Sequence, residues 1–187
     1  LRRRQRRHAA SRRERRRQRA RSGALTVGLA GYTNAGKSSL FRALCGKDVL
    51  IQDRLFSTLE TTVGRMQKGP RVLMVDTIGF IDRLPSDLLD AFAATLSESL
   101  ECDILLLLAD ASDSLTELER RLDTSRRELF ERLEEDAFPR LQVVLTKADL
   151  VDEAQLEAAS SIVEALALPP ALAVSSSTGE GIETLRD

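Results

Sequence analysis

Short apolar runs alternate along this chain with stretches whose apolar positions recur at helical spacing. The first run, 25–30, leads into a polar loop, and a helix-like run over 39–44 leads out of it. After a hydroxyl-rich stretch over 48–62 of weak periodicity, 63–68 and 71–75 flank Gly69-Pro70 and read as a hairpin. A helix is expected from about Pro85 to Ser99, capped by Ser86 or Asp87. Residues 103–109 form a continuous apolar run, as a strand covered on both faces requires. A long charged helix should follow over 114–135, with Leu115, Leu118, Leu122, Leu129 and Leu133 on one apolar face. Then come a buried strand at 141–145, a helix at 153–167 and a strand at 171–174. Alternating strands and helices predict a three-layer α/β/α domain. Its sheet should have six mostly parallel strands, with one antiparallel strand supplied by the hairpin. Every polar signature then falls at a carboxyl end of a strand, where such sheets collect their functional loops.

With 187 residues, 42% of them hydrophobic, the chain suits one domain with an appended element. No apolar run approaches the ~20 residues that cross a bilayer, so no stable membrane insertion is expected. Cys45 and Cys102 show no metal-ligand spacing and read as reduced thiols, which places the protein in the cytoplasm. The net charge of −1 hides a division. Residues 1–22 hold 12 of the 28 basic residues, all arginine, and one of the 29 acidic ones, Glu14. A cationic arm therefore precedes an acidic body at 23–187. The arm lacks proline and glycine and should be helical, with arginine on every face. It is either a solvated helical linker or a contact for a polyanion such as RNA. His8, the only histidine, reads as a spectator. The absence of an initiating methionine and a last helix only beginning at 183–187 suggest a fragment, with the arm ending a missing N-terminal domain.

The candidate chemistry begins at the loop after the first strand. Gly31, Tyr32, Thr33, Asn34, Ala35, Gly36, Lys37 and Ser38 have the spacing G-x-x-x-x-G-K-S, with Ser39 opening the helix. Glycines permit the tight turns, and N–H groups at the helix start point at anionic oxygens, which suits a polyphosphate. Lys37 supplies a point charge between the β- and γ-phosphates, and the Ser38 hydroxyl a ligand for magnesium. Asp76, closing an apolar strand, is placed to hold the same ion, and the N–H of Gly79 to approach a γ-phosphate. Thr146-Lys147-Ala148-Asp149 follows the strand at 141–145. The Asp149 carboxylate can accept two hydrogen bonds from the N1–H and exocyclic amine of guanine, an edge adenine lacks. Lys147 can lie over the ring or brace the phosphate loop. Ser175, Ser176 and Ser177, ending the last strand, can offer donors to the guanine oxygen.

With these residues the chain resembles the translation-factor-related GTPases, and most closely the HflX family. The resemblance rests on 31–38, on Leu55-Phe-Ser-Thr-Leu-Glu60 followed by Thr61-Thr62, and on Asp76-Thr-Ile-Gly-Phe80. Leu84-Pro-Ser-Asp-Leu88 before a helix bearing Phe92, Thr95 and Leu96, and the arginine-rich segment ahead of the domain, add to it. It implies that Thr58 is the switch threonine that reaches magnesium when a γ-phosphate is present, where sequence alone leaves Thr61 and Thr62 as rivals. Phe56, Ser57, Leu59, Glu60, Thr77 and Ile78 would then line the nucleotide beside Thr58 and Gly79. It also implies GTP hydrolysis to GDP and binding to the large ribosomal subunit and its rRNA, with splitting or rescue of ribosomes. A monomer is expected.

Thr146 stands where many relatives carry Asn, which weakens one brace to the phosphate loop, and Ser176 replaces a common Ala. Phe80 occupies the place of the glutamine that orients water in many GTPases, so intrinsic hydrolysis should be slow. Lys37, Asn34, Thr58 and Gly79 are the catalytic candidates. The Asn34 amide either helps bind a potassium ion beside the phosphates or hydrogen-bonds within its loop. Two other readings stay open. One is a regulatory GTP-binding module with negligible turnover; the other is a GTPase of ribosome assembly or RNA modification.

Overall fold

The computed structural model describes residues 25–46, 62–67, 71–76, 102–132 and 139–187. The arm at 1–22, the stretch bearing Phe56 to Thr61, the segment 77–101 with Gly79, Phe80 and the helix expected at 85–99, and Leu133 lie outside them.

Six strands make one sheet: β1 (Leu25–Gly31), β2 (Thr62–Arg65), β3 (Val72–Asp76), β4 (Ile104–Asp110), β5 (Arg140–Thr146) and β6 (Ala171–Ala173). Their order is β2-β3-β1-β4-β5-β6. β2 and β3 pair antiparallel, as the hairpin reading requires, and every other pairing is parallel. The helices are α1 (Lys37–Cys45), α2 (Leu115–Arg132), α3 (Glu153–Ala165) and α4 (Ile182–Arg186), with a 3-10 turn at Ala148–Leu150.

Strand periodicity sends alternate residues of the apolar runs into two cores. Leu105, Leu107, Ala109, Val143 and Leu145 meet Leu118, Leu122 and Leu129 of α2 and Ala159 and Val163 of α3. Leu106, Leu108 and Val144 point the other way, with Leu29 and Met74, against Leu40, Phe41 and Leu44 of α1 and Ile182 of α4. This gives the three layers the alternation predicts.

Two element ends differ from the sequence expectation. Leu115 is 40% exposed and does not join the apolar face of α2, which begins at Leu118. The reason is position: Leu115 opens the helix directly after Ser114, whose hydroxyl accepts the Glu117 N–H at 3.3 Å, and this first turn stands outside the packed face. α3 begins on Asp152, whose carboxylate accepts the Gln155 N–H at 2.9 Å, and ends at Ala165, two residues before the expected limit. Ala167 has φ +53° and precedes Pro169 and Pro170, so the chain leaves the helix there. Cys45 and Cys102 are buried and share no disulfide, and burial pushes Cys45 up to about 11.

Candidate functional site

The loops that follow β1, β4, β5 and β6 lie at the carboxyl ends of four neighbouring parallel strands. The loop after β1 turns tightly, with the Ala35 N–H donating to Tyr32 O at 3.1 Å. Its two glycines are needed for different reasons. A Cβ on Gly31 would stand 2.4 Å from the carbonyl oxygen of Leu108 on β4, so the loop leaves the sheet hard against its neighbour. Gly36 has φ +79° and feeds directly into the first turn of α1. Asn34, also left-handed at φ +66°, is exposed with Thr33 at the loop's tip. Backbone held in that region by residues other than glycine clusters at functional sites.

Lys37, first residue of α1, is 9% exposed and folds back into the loop. Its Nζ donates to the carbonyls of Gly31 at 3.1 Å and Tyr32 at 2.7 Å, which holds the ammonium against the concave backbone that the helix start completes. Ser38 and Ser39 are exposed on the first turn. The Tyr32 ring packs with Leu118 and Leu122 of α2. It is buried under α2, with Arg120 and Arg121 at 5.7 and 5.5 Å from its centroid. Glu117 accepts from both arginines, and Arg121 also pairs with Asp113 at 2.8 Å.

β5 reaches the phosphate loop through Thr146. Its buried hydroxyl lies 3.0 Å from Ala35 O and 3.1 Å from Ala109 O, tying the loop to β4 and β5 at once. The residue expected to weaken a brace thus makes one. Beyond it Lys147 adopts φ +58°, and its Nζ pairs with the Asp110 carboxylate at the end of β4.

Asp149 meets the serines that follow β6. The Val174 N–H donates to Leu145 O at 2.8 Å and the Ala148 N–H to Val174 O at 3.1 Å, which draws 175–177 beside 147–149. Ser177 Oγ donates to Asp149 Oδ2 at 2.8 Å, and Ser175 Oγ lies 3.0 Å from Ser177 Oγ. Ser175 is fully buried, Ser176 half-buried and Asp149 exposed. The Ser175 and Ser177 hydroxyls hold the Asp149 carboxyl below the ordinary carboxylate range, so at neutral pH it is an ionised acceptor facing solvent.

Asp110, which the sequence reading passes over, pairs with Lys147 at the ends of β4 and β5. Its signal is an acid closing an otherwise apolar strand, the same signal that singles out Asp76 on β3. It is 5% exposed. Oδ1 accepts the N–H of Ser112 at 3.0 Å and its hydroxyl at 2.6 Å, while Oδ2 takes Lys147. Burial pushes its carboxyl up, but the hydrogen bonds from Lys147 and Ser112 and the Lys147 charge outweigh that and hold it below the usual range.

Asp76 is the last residue of β3, in register with Leu29 of β1 two positions before Gly31. Among the described residues, no group of three or more His, Cys, Asp or Glu side chains is gathered to hold a metal unaided. A magnesium ion here would draw on Ser38, Asp76 and nucleotide phosphates, the sparse protein ligation usual for that ion. The Ser38 hydroxyl, exposed on the first turn of α1, is an oxygen donor of the kind that ion takes. Also among the described residues, no helix is long and apolar enough to cross a membrane.

Comparison with known proteins agrees with this geometry. Residues 26–147 match the family described as 50S ribosome-binding GTPase. The GTPase HflX of Gluconacetobacter diazotrophicus is 50% identical over 137 residues, 72% of this chain and 30% of that protein. The GTPase HflX of Thermococcus kodakarensis is 41% identical over 151 residues, 79% of this chain and 33% of that one. The chain thus spans about a third of the length of these curated relatives. Among solved structures, a GTP-binding protein from Sulfolobus solfataricus in complex with GDP superposes with TM-score 0.69 at 29% identity, covering 87% of this chain and 50% of that one. The match over residues 26–147, with identities of 50% and 41% over more than two thirds of its length, shows that the chain belongs to the 50S ribosome-binding GTPases, among their HflX members.

Proposed function

We propose that this chain binds GTP and GDP with magnesium, hydrolyses GTP slowly, and acts as a monomer in the cytoplasm on the large ribosomal subunit. The observation that carries the reading is the joining of three separate signatures. Thr146 ties the phosphate loop at Ala35 to β5, and three residues on, Asp149 is joined to Ser177 beyond β6. These contacts support a reading in which the loop at 31–38 cradles phosphate and Asp149 reads guanine from the same end of the sheet. Lys37 carries charge to the β- and γ-phosphates, and Ser38 and Asp76 serve the magnesium ion. The N–H groups of the loop from Gly31 to Ser39 hold the diphosphate, and Asp149 with Ser175, Ser176 and Ser177 holds the base. By the family resemblance Thr58 and Gly79, with Phe56, Ser57, Leu59, Glu60, Thr77 and Ile78, would serve the γ-phosphate side of GTP. Potassium at Asn34 would offset charge developing between the phosphates.

Single-turnover hydrolysis with and without purified large subunits tests the reading. Stimulation by the subunit is expected. A flat response with GTP bound would favour the regulatory module instead, a reading that Phe80 in the glutamine position supports. Ribosomal splitting or rescue, as against a role in ribosome assembly or RNA modification, is resolved by which particle cosediments in the GTP-like state. The arginines of residues 1–22 should make that cosedimentation steeply salt-dependent. Equal rates in potassium and sodium would remove the potassium role.

A further inference from the structure

A buried carboxylate is costly unless it is paired, and Asp110 is both buried and fully engaged at a place where no part of the proposed phosphate or guanine chemistry calls for an acid. Its position accounts for it. Asp110 stands opposite Thr146 in the β4–β5 register, one residue before Lys147 and next to the strand that carries the phosphate loop. The Lys147 ammonium reaches from the end of β5 to Oδ2 at the end of the neighbouring β4, while Ser112 fixes Oδ1 with two hydrogen bonds. That loop is itself pinned: Gln155 Nε2 of α3 donates to Ala111 O at 2.8 Å and to Asp113 O at 3.3 Å. An unanchored lysine is a hydrated charge on a mobile stem. Anchored at its tip and set at φ +58° at its base, the Lys147 stem becomes a fixed apolar rail two residues before Asp149.

We propose that Asp110 is a positioning residue for the nucleotide base: by holding the Lys147 ammonium it lays the lysine stem as a wall for the purine face, independently of the edge that Asp149 reads. The inference rests on the guanine-nucleotide reading above. Its distinguishing consequence is indifference to the purine's exocyclic amine. A wall contacts the ring face, so its loss weakens guanosine and inosine diphosphates alike, whereas damage to the Asp149 edge falls on the nucleotide bearing the amine.

The test is titration calorimetry of the whole chain with GDP and with IDP in magnesium buffer. Asp110→Asn keeps the volume and the acceptor for Ser112 and removes the charge that holds Lys147. Both affinities should fall by about tenfold, the size of one charge-assisted hydrogen bond, and by the same factor. In a Lys147→Met background, Asp110→Asn should cause no further loss, because the residue acts through the lysine. Should Asp110→Asn fail to fold, Ser112→Ala removes only the 2.6 Å hydroxyl contact and should give a smaller loss, about two- to threefold, again equal for the two nucleotides. Unchanged affinity, a loss larger for GDP than for IDP, or additive losses in the double variant would overturn the proposal while leaving guanine binding intact. A wild-type chain that takes up neither nucleotide would overturn both readings together.

Discussion

Thr146 shows what one hydroxyl does when it is placed between two strands and a loop. Removing it as Thr146→Val preserves shape and leaves the carbonyls of Ala35 and Ala109 without this donor in a buried position. The expected cost is about 1–3 kcal/mol in urea unfolding without nucleotide, together with weaker GDP uptake, because the same bond fixes the loop. Asp149 is different in kind, since it faces solvent and its partners are hydroxyls that a base edge can replace. Asp149→Asn should therefore leave stability nearly unchanged and reverse the preference. The amide repels the guanine amine but donates to the carbonyl that xanthine carries in its place, so XDP should outcompete GDP by at least about 100-fold in a displacement assay. A variant that still prefers GDP would dismiss Asp149 as the reader of the base.

At the scale of an element, α2 separates packing from exposure on a single face. Leu118 is fully buried against β4 and β5, so Leu118→Ala should lose about 2–5 kcal/mol in chemical denaturation, while Leu115→Ala should stay within about 0.5 kcal/mol. Glu117 adds an acid limb. The hydrogen bond from Arg120, then that from Arg121, lowers its carboxyl to about 2 from an ordinary 4.5. Its contribution is therefore present above 4.5 and lost as pH falls toward 2, and Glu117→Gln should flatten that part of the stability profile at low salt. The helix also marks where the sequence is legible. Leu118, Leu122 and Leu129 were readable from their spacing, as were the apolar strands, because periodicity follows directly from burial on one or two faces. The end at which Leu115 turns outward was not, since helix position against a sheet edge is a tertiary matter. Likewise the loop at 31–38 and the tripeptide at 147–149 announce themselves through local spacing. Asp110 carries the strand-closing signal of Asp76, but its pairing with Lys147, 37 residues on, is visible only once β4 and β5 lie side by side.

For the whole molecule, the site and the fold are the same object. Its pieces come from the ends of β1, β4, β5 and β6, held in place by two cores on opposite faces of one sheet, and the last helix is locked back onto the first where Arg186 Nη2 donates to Ala43 O at 3.1 Å. An unfolded chain keeps the phosphate-loop spacing but scatters Asp149, Ser177 and Lys37, so it has no affinity for a guanine nucleotide. Anything that binds only the folded state stabilises it by mass action, by about 2.7 kcal/mol when the free ligand is at 100 times its dissociation constant. For a domain of this size that corresponds to a rise of about 5–10 °C in the unfolding midpoint. GDP with magnesium should produce that shift in a thermal scan of the whole chain. ADP at the same concentration should produce little, because adenine offers Asp149 no paired donors and leaves a carboxylate facing a ring edge that cannot satisfy it. Equal shifts with ADP and GDP would mean that the phosphate loop binds alone and that the loops after β5 and β6 do not read the base.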